Sequence, residues 1–149
     1  MGGTVGTPAD RAPVSGSRPW ILVVDDDEAC RSVLEAVLSD DYQVALAANG
    51  QEALDRCAER EPDLIVLDLD MPLVDGREFI ERRRAAGSPD TPILVVSAVS
   101  GARTMALELT VRGIIPKPFN VEEVHRTVAG LLDRTGAFST EGQGEPQER

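Results

Sequence analysis

Acidic side chains follow two of the apolar runs in this sequence, at the point where each run ends. Asp25, Asp26 and Asp27 come directly after "WILVV", and Asp68 comes directly after "LIVL", with Asp70 two residues later. Carboxylates that lie close together repel one another, and protonation or a bound cation relieves the repulsion. Magnesium suits such a site because it favours one or two carboxylates, several waters and a phosphate. The spacing therefore predicts a magnesium site at which a phosphoryl group also binds.

A hydroxyl and an ammonium group lie at the ends of two further apolar runs. Ser97 ends "ILVVS", and Lys117 follows "GIIP". Both groups suit the oxygens of a phosphoryl group, whose transfer depends mostly on positioning and charge neutralisation. An aspartate can act as the nucleophile and form an aspartyl phosphate. We interpret Asp68 as that nucleophile, because a rigid apolar strand would hold it at the rim of a sheet.

Lys117 is the only lysine among the 15 basic residues of the chain, and all the others are arginines. Lysine carries a compact charge on a flexible stem, whereas the guanidinium group of arginine is a flat fork. A compact charge enters a small pocket more easily. The single lysine at a strand end therefore favours a specific role for this residue.

Five apolar runs alternate with five amphipathic stretches, and this alternation would bring the polar residues together. The predicted strands are residues 20–24, 42–48, 63–68, 92–98 and 113–116. The predicted helices are residues 28–38, 51–60, 76–86 and 102–110. A fifth and last helix is predicted to follow Asn120, its N-cap. Such alternation forms a parallel sheet with helices on both faces. Ligands of these folds bind outside the carboxyl ends of the strands. Pro116 lacks an N–H for strand pairing, so the fifth strand suits an edge.

Apolar residues at helical spacing predict which faces of the helices are buried. They are Val33, Leu34, Val37 and Leu38 in the first helix, Phe79 and Ile80 in the third, and Val121, Val124, Val128, Leu131 and Leu132 in the last. The "ERRR" run of the third helix is predicted to face outward. Asp27 is predicted to cap the first helix, and Glu123 lies three residues after Asn120, at capping-box spacing.

Length, charge and cysteine content limit the classes of protein. A chain of 149 residues, 42% of them hydrophobic, indicates one globular domain, which we place at residues 19–134. A net charge of −11 argues against direct binding to nucleic acid or to an anionic membrane. Cys30 and Cys57 lack metal-ligand spacing and are interpreted as packed thiols in a reducing compartment. No run resembles a signal peptide or a membrane span, so the cytoplasm is the expected location.

Residues 1–18 and 135–149 show neither strand nor helix periodicity, and they are predicted to be a disordered N-terminal arm and a disordered C-terminal tail. Phe138 is the only large apolar residue of the tail. Docking of either segment onto a surface is the alternative that the sequence leaves open.

Four segments in this order resemble the receiver domain of bacterial two-component response regulators. They are "ILVVDDDEACRSVL", "PDLIVLDLDMPLVDG", "PILVVSA" and "PKPFNVEEV", and they cover nearly all of residues 20–132. The resemblance implies a flavodoxin-like (βα)5 fold, an α/β architecture with a doubly wound parallel sheet of five strands in the order 2-1-3-4-5. Because the tail after the last helix is short and polar, we expect a stand-alone receiver without an output domain, which is not itself an enzyme.

The resemblance also implies a role for each polar residue at the strand ends. The implied Mg²⁺ ligands are Asp25, Asp26, Asp68 and the backbone carbonyl of Asp70. Asp68 would be the phosphoacceptor, Lys117 would pair with the phosphoryl oxygens, and Ser97 would be the switch hydroxyl. The peptide bond between Lys117 and Pro118 would be cis.

The implied partners are proteins. A histidine kinase or a phosphotransfer protein would supply the phosphoryl group, and phosphorylation would switch binding to a downstream protein target, without contact to nucleic acid or membrane. Two alternatives stay open. One is a pseudo-receiver that acts by contact alone. The other is a phosphatase with Asp68 as nucleophile and Asp70 as general acid, although the order of the motifs along the chain opposes it.

Three features depart from the usual pattern of the family. Ile114 stands where a Tyr or Phe usually reports phosphorylation, and Thr110 and Val111 stand where a Gly-Ala pair is frequent. The segment from Ser97 to Lys117 is also shorter than usual. These departures predict a short or distorted fourth helix and an output that does not depend on an aromatic switch.

Overall fold

The computed structural model of the protein describes residues 18–71 and 74–134. Its strands are β1 (Trp20–Val24), β2 (Gln43–Ala47), β3 (Leu64–Leu67), β4 (Ile93–Ser97) and β5 (Gly113–Pro116). Its helices are α1 (Glu28–Leu38), α2 (Gly50–Glu59), α3 (Gly76–Ala85), α4 (Ala102–Leu109) and α5 (Val121–Arg134). All ten predicted elements are present, and for the nine elements with two predicted ends the observed ends lie within one residue of them.

The five strands form one parallel sheet in the spatial order β2-β1-β3-β4-β5. This is the order 2-1-3-4-5, so the predicted flavodoxin-like fold is confirmed. β1 and β3 are neighbours in the sheet, and their last residues, Val24 and Leu67, are paired. The strand order reverses at this point, which is where such folds bind ligands. β5 lies at an edge of the sheet, as Pro116 predicts.

The sheet separates two apolar clusters, because successive side chains of a strand point to opposite faces. Leu22 and Ile65 pack on one face with residues of α2, α3 and α4. Ile21 and Val66 pack on the other face with residues of α1 and α5. Cys30 and Cys57 are buried free thiols in these two clusters, as predicted.

The segments outside the predicted domain stay predictions. Residues 1–17 and 135–149 of the arm and the tail lie outside the described residues. Arg18 is described, and its guanidinium group donates to the carbonyls of Ser39 and Asp40 at 3.2 and 3.1 Å. Within the described ranges, no helix has the length and apolar character needed to cross a membrane.

Polar side chains cap four of the helices. Asp27, Asn49 and Asp75 each accept a hydrogen bond from a backbone N–H in the first turn of α1, α2 and α3, respectively. Asn120 accepts from the N–H groups of Glu122 and Glu123 at 2.8 and 3.1 Å. The predicted caps Asp27 and Asn120 are therefore confirmed. Each such cap contributes about 1 kcal/mol, and together they fix where the helices leave the strand ends.

Three side chains lie on different faces than predicted. Val33 and Val121 were predicted to be buried, but each is 42% exposed. Cys30 joins Leu34 and Leu38 on the buried face of α1 instead. The prediction that "ERRR" faces outward is wrong for Arg83, whose side chain is 6% exposed.

Arg83 is buried because its charge is neutralised inside the fold. It lies three residues after Ile80, and residues at this spacing share a helix face. Its guanidinium group donates to both carboxylate oxygens of Glu61, at 3.1 and 2.5 Å, and to the carbonyl of Pro89 at 3.1 Å. The hydroxyl of Thr91 donates to the same carboxylate at 2.6 Å. This network joins the end of α3 to the segments that enter β3 and β4.

α4 is the shortest of the described helices, with 8 residues, in agreement with the predicted shortening. Its flanking residues Gly101 and Thr110 both have positive φ angles, 83° and 54°. A β-branched residue such as Thr110 rarely adopts this left-handed conformation. Arg84 of α3 donates to the carbonyl of Leu109 and to the hydroxyl of Thr110. Its charge also suits the negative end of the helix dipole.

Replacing Thr110 by glycine is expected to stabilise the protein. The left-handed conformation costs a residue with a Cβ about 1–2 kcal/mol, and glycine avoids this cost. The lost hydrogen bond to Arg84 and the greater freedom of glycine in the unfolded chain reduce the gain to about 1 kcal/mol.

Urea unfolding of Thr110→Gly measures this gain. Thr104→Gly is the matched control, because Thr104 is exposed within the same helix. Glycine at a regular helical position costs about 1 kcal/mol, so the two variants should shift the free energy of unfolding in opposite directions. Destabilisation by both variants would show that Thr110 is not strained.

Candidate functional site

Asp25 lies at the end of β1 and is almost fully buried, with 1% of its surface exposed. Its N–H donates to the carbonyl of Ala47 at 3.1 Å. One carboxylate oxygen accepts from the N–H of Asp27 at 2.9 Å, and the other lies 2.8 Å from the Nζ atom of Lys117. The carboxylate is therefore held by a turn on one side and by an ammonium group on the other.

Asp68 lies beside it at the end of β3, and 5% of its surface is exposed. Its N–H donates to the carbonyl of Val24 at 2.9 Å, which extends the pairing of β1 and β3 by one residue. The N–H of Asp70 lies 3.4 Å from one carboxylate oxygen, and the Nζ atom of Lys117 lies 3.8 Å from the other. Lys117 is thus closer to Asp25 than to Asp68.

Asp25, Asp26 and Asp68 form an acidic cluster. One carboxylate oxygen from each lies within 4.8 Å of the other two, and Asp26 is exposed while the other two are buried. Three hard oxygen donors with one side open to water fit a small divalent cation such as Mg²⁺, which keeps part of its water shell. The predicted convergence of these three residues is confirmed. The structure also places exposed Asp70 next to Asp68.

The acidic cluster disfavours the negative charge of Asp68. Burial and the nearby charge of Asp25 raise the pKa of Asp68 from its ordinary 3.8 to about 6, although Lys117 and the N–H of Asp70 act in the opposite direction. The rise means that ionised Asp68 is destabilised in the metal-free fold. A bound cation or a further hydrogen-bond donor to the carboxylate would relieve that destabilisation.

Lys117 reaches the cluster from the end of β5. Burial alone would lower its pKa, but the hydrogen bond and charge of Asp25, together with the charge of Asp68, hold the pKa above its ordinary value. The backbone N–H of Lys117 donates to the carbonyl of Ser97 at 3.0 Å. The bond to Pro118 is cis, as the resemblance implied.

Ser97 ends β4, the strand between β3 and β5, and 2% of its surface is exposed. Its hydroxyl oxygen accepts from the N–H of Val99 at 3.0 Å. Ile114 of β5 is paired with Val95 and packs partly buried against the cluster of α2, α3 and α4. The prediction of an output without an aromatic switch stays a prediction.

Two residues of α1 contact the site without having been predicted. The guanidinium group of Arg31 donates to the backbone carbonyl of Asp25 at 2.7 Å. The thiol of Cys30 is buried next to Asp25, and burial followed by that carboxylate raises its pKa to about 12. Both residues lie about one helical turn after the cap Asp27. The predicted start of α1 was therefore the sequence signal that could have placed them near Asp25.

Gly76 lets the first turn of α3 approach the backbone of Asp68. A Cβ on Gly76 would lie 2.7 Å from the carbonyl oxygen of Asp68 and 2.7 Å from the Cα atom of Leu69. The N–H of Gly76 donates to the carbonyl of Leu69 at 3.1 Å. A side chain at this position would therefore displace the segment that carries Asp68.

Comparison with known proteins gives one consistent family. The sequence model of the response regulator receiver domain matches residues 21–129. The response regulator MprA of Mycolicibacterium vanbaalenii is 43% identical over 128 residues, which are 84% of this chain and 54% of that protein. MprA of Mycobacterium avium is 44% identical over 118 residues, 77% of this chain and 51% of that protein. The chain thus spans about half the length of these curated relatives.

Solved structures show the same likeness over whole receiver domains. The receiver domain of the Francisella response regulator 1452 superposes with a TM-score of 0.73 at 27% identity, covering 79% of this chain and 99% of that chain. The chemotaxis response regulator CheY4 of Vibrio cholerae gives 0.70 at 30% identity, covering 77% and 99%.

Proposed function

This chain belongs to the response regulator receiver domain family of two-component signalling, and we propose that it accepts a phosphoryl group on Asp68 in a Mg²⁺-dependent reaction. The phosphoryl group would come from a histidine kinase or a phosphotransfer protein. Phosphorylation would change the affinity of the chain for a downstream protein target.

The arrangement of four charged groups carries the proposal. Asp25, Asp26 and Asp68 offer oxygens within 4.8 Å of one another, and Lys117 lies 2.8 Å from Asp25 and 3.8 Å from Asp68. Phosphoryl transfer needs a positioned nucleophile and groups that neutralise the charge of the phosphoryl oxygens. A carboxylate held rigidly beside a cation site and an ammonium group supplies both.

We assign the cation site to the acidic cluster. Asp25, Asp26 and Asp68 would provide carboxylate oxygens, and Asp70 would provide its backbone carbonyl. Mg²⁺ bound there supplies positive charge next to the phosphoryl oxygens. The chain itself keeps Asp25 in place through Asp27 and Lys117.

Asp68 would act as the nucleophile. One of its carboxylate oxygens would bond to phosphorus, the bond between phosphorus and the donor histidine nitrogen would break, and the electron pair would stay on the imidazole nitrogen. The product is an acyl phosphate on Asp68. Lys117 and the hydroxyl of Ser97 would then contact the phosphoryl oxygens. This change of hydrogen-bond partners would alter the surface that binds the downstream protein.

Incubation with acetyl phosphate and Mg²⁺ is expected to add one phosphoryl group to the chain. Intact-mass spectrometry detects the adduct directly, without knowledge of the kinase. The adduct should be absent when EDTA removes divalent cations, because Asp68 would then face Asp25 and Asp26 without neutralisation. It should also be absent from the variant Asp68→Asn.

Asp90→Asn is the matched control, because the side chain of Asp90 is 91% exposed and pairs with Arg112, away from the cluster. This variant should form the adduct like the wild type. An adduct on Asp68→Asn would move the phosphoacceptor to another residue. No adduct on the wild type would favour a pseudo-receiver, and continuous release of phosphate from a chromogenic ester would favour the phosphatase alternative.

A further inference from the structure

Arg31 ends the first turn of α1, and its side chain reaches back to the backbone that follows β1. Its N–H donates to the carbonyl of Asp27 at 3.0 Å, as in a regular helix. Its guanidinium group donates to the carbonyl of Asp25 at 2.7 Å, in a partly buried contact. The side chain therefore ties the first turn of α1 to the last residue before the turn that carries Asp26.

The carbonyl of Asp25 belongs to the peptide unit that leads to Asp26. A peptide unit is planar, so a group that holds its oxygen also fixes the direction of the bond to the next Cα atom. On the other side of Asp26 in the sequence, the N–H of Asp27 donates to the carboxylate of Asp25 at 2.9 Å. The backbone of Asp26 is thus held before the residue by Arg31 and after it by Asp25.

Asp26 depends on its backbone more than the other two carboxylates of the acidic cluster do. The carboxylates of Asp25 and Asp68 lie 2.8 and 3.8 Å from the Nζ atom of Lys117. The carboxylate of Asp26 is exposed and accepts no hydrogen bond from any residue that the structure describes. Its position in the cluster is therefore set by the peptide unit that Arg31 holds.

The position of Asp26 matters for a cation because its carboxylate has no competing partner. Lys117 already neutralises part of the charge of Asp25. Mg²⁺ requires nearly ideal octahedral geometry, so a displaced ligand weakens its binding. Residues that orient metal ligands without touching the metal typically change its affinity by about 10-fold to 100-fold.

We infer that Arg31 is a positioning residue for the cation site, which holds the peptide unit between Asp25 and Asp26 so that the Asp26 carboxylate faces Asp68. The inference rests on the proposed function, because it takes the acidic cluster as the cation site. The charge of Arg31 acts in the opposite direction, since it repels a cation. Arg31 is only half-buried, so water and salt weaken this repulsion, and the loss of the hydrogen bond decides the sign.

Titration of the metal-free chain with Mg²⁺ alone measures the effect, with the amide signal of Asp70 beside Asp68 as the probe. Arg31→Met is expected to raise the dissociation constant for Mg²⁺ about tenfold or more, although it removes a positive charge. Arg31→Lys keeps a donor on a flexible stem and should recover part of the loss.

Arg56→Met is the matched control for this titration. Arg56 of α2 donates to the carbonyl of Leu46 at 3.0 Å, so its replacement removes the same charge and the same kind of contact outside the acidic cluster. The dissociation constant for Mg²⁺ should then change by less than about twofold, because the distant charge is screened. The amide spectrum of each variant shows directly that the chain is folded.

A double-mutant cycle with Asp26→Asn separates positioning from a general loss of structure. If Arg31 acts through Asp26, then Arg31→Met should weaken Mg²⁺ binding by less than about twofold once Asp26 has been replaced. An equal loss in both backgrounds would overturn the inference, and so would unchanged or tighter binding by Arg31→Met. A wild type that does not bind Mg²⁺ would instead overturn the cation site of the proposed function, and this inference with it.

Discussion

Replacing Asp68 by asparagine is expected to stabilise the metal-free protein by about 3 kcal/mol at pH 7.5. Burial and the charge of Asp25 raise the pKa of Asp68 from 3.8 to about 6. One pKa unit corresponds to about 1.4 kcal/mol, so ionised Asp68 costs the fold about 3 kcal/mol. Asparagine has nearly the same shape and can still accept from the N–H of Asp70, but it carries no charge.

The gain should depend on pH in one direction. The carboxyl of Asp68 ionises near pH 3.8 in the unfolded chain and near pH 6 in the folded chain. Between these values the folded state binds more protons, so wild-type stability falls as pH rises. Above about pH 6 the whole cost is present, and below about pH 4 it is absent. The advantage of Asp68→Asn should therefore vanish on acidification.

Urea unfolding in EDTA at pH 7.5, 6 and 4.5 measures the effect. Asp70→Asn is the control, because Asp70 is exposed and its replacement should change the free energy of unfolding by less than about 0.5 kcal/mol. Saturating Mg²⁺ should stabilise the wild type and narrow its difference from Asp68→Asn. Equal stability of the two proteins at pH 7.5 in EDTA would contradict the destabilising role of Asp68.

Replacing Glu61 by alanine is expected to destabilise the protein by about 3–5 kcal/mol, because it leaves a buried guanidinium group without its counterion. The side chain of Arg83 is 6% exposed, and both of its contacts to Glu61 would be lost. The hydroxyl of Thr91 would lose its acceptor as well. Few other single substitutions outside the apolar clusters should have so large an effect.

An exposed ion pair in the same helix, α3, provides the control for this measurement. Arg82 and Glu78 form an ion pair at 2.7 Å, but their side chains are 49% and 44% exposed. Glu78→Ala should therefore cost less than about 1 kcal/mol. The double variant Glu61→Ala with Arg83→Met should recover much of the loss, since no buried charge remains. The buried charge is not the cause if the double variant loses as much stability as Glu61→Ala and Arg83→Met lose when their separate effects are added.

The fold and the acidic cluster followed from regularities that the sequence displays locally. Apolar runs alternate with amphipathic stretches, and parallel strands bring their carboxyl ends to one edge. Asp25 and Asp68 directly follow two such runs, so their convergence needed only the strand order. The resemblance to a family supplied that order. Asp27 and Asn120 were predictable because a cap acts within its own helix turn.

The remaining features depend on partners that are distant in the sequence. Nothing near Arg83 indicates Glu61, which is 22 residues away and reaches it only when α3 packs on the sheet. The left-handed conformation of Thr110 depends on how α4 meets β5. The preference of Lys117 for Asp25 over Asp68 is a difference between 2.8 and 3.8 Å, which residue patterns do not resolve.

The pairing of Lys117 with Asp25 at 2.8 Å would set an order of events in the proposed reaction. The ammonium group of Lys117 is the counterion of Asp25, and a divalent cation held by Asp25 would compete with it for the same carboxylate. If Asp25 held a divalent cation, the ammonium group of Lys117 would be free to contact the phosphoryl oxygens of the proposed product. A phosphodonor that arrives before the cation would meet a lysine that is already engaged. Phosphorylation would thus need both the phosphodonor and a concentration of free divalent cation high enough to occupy Asp25.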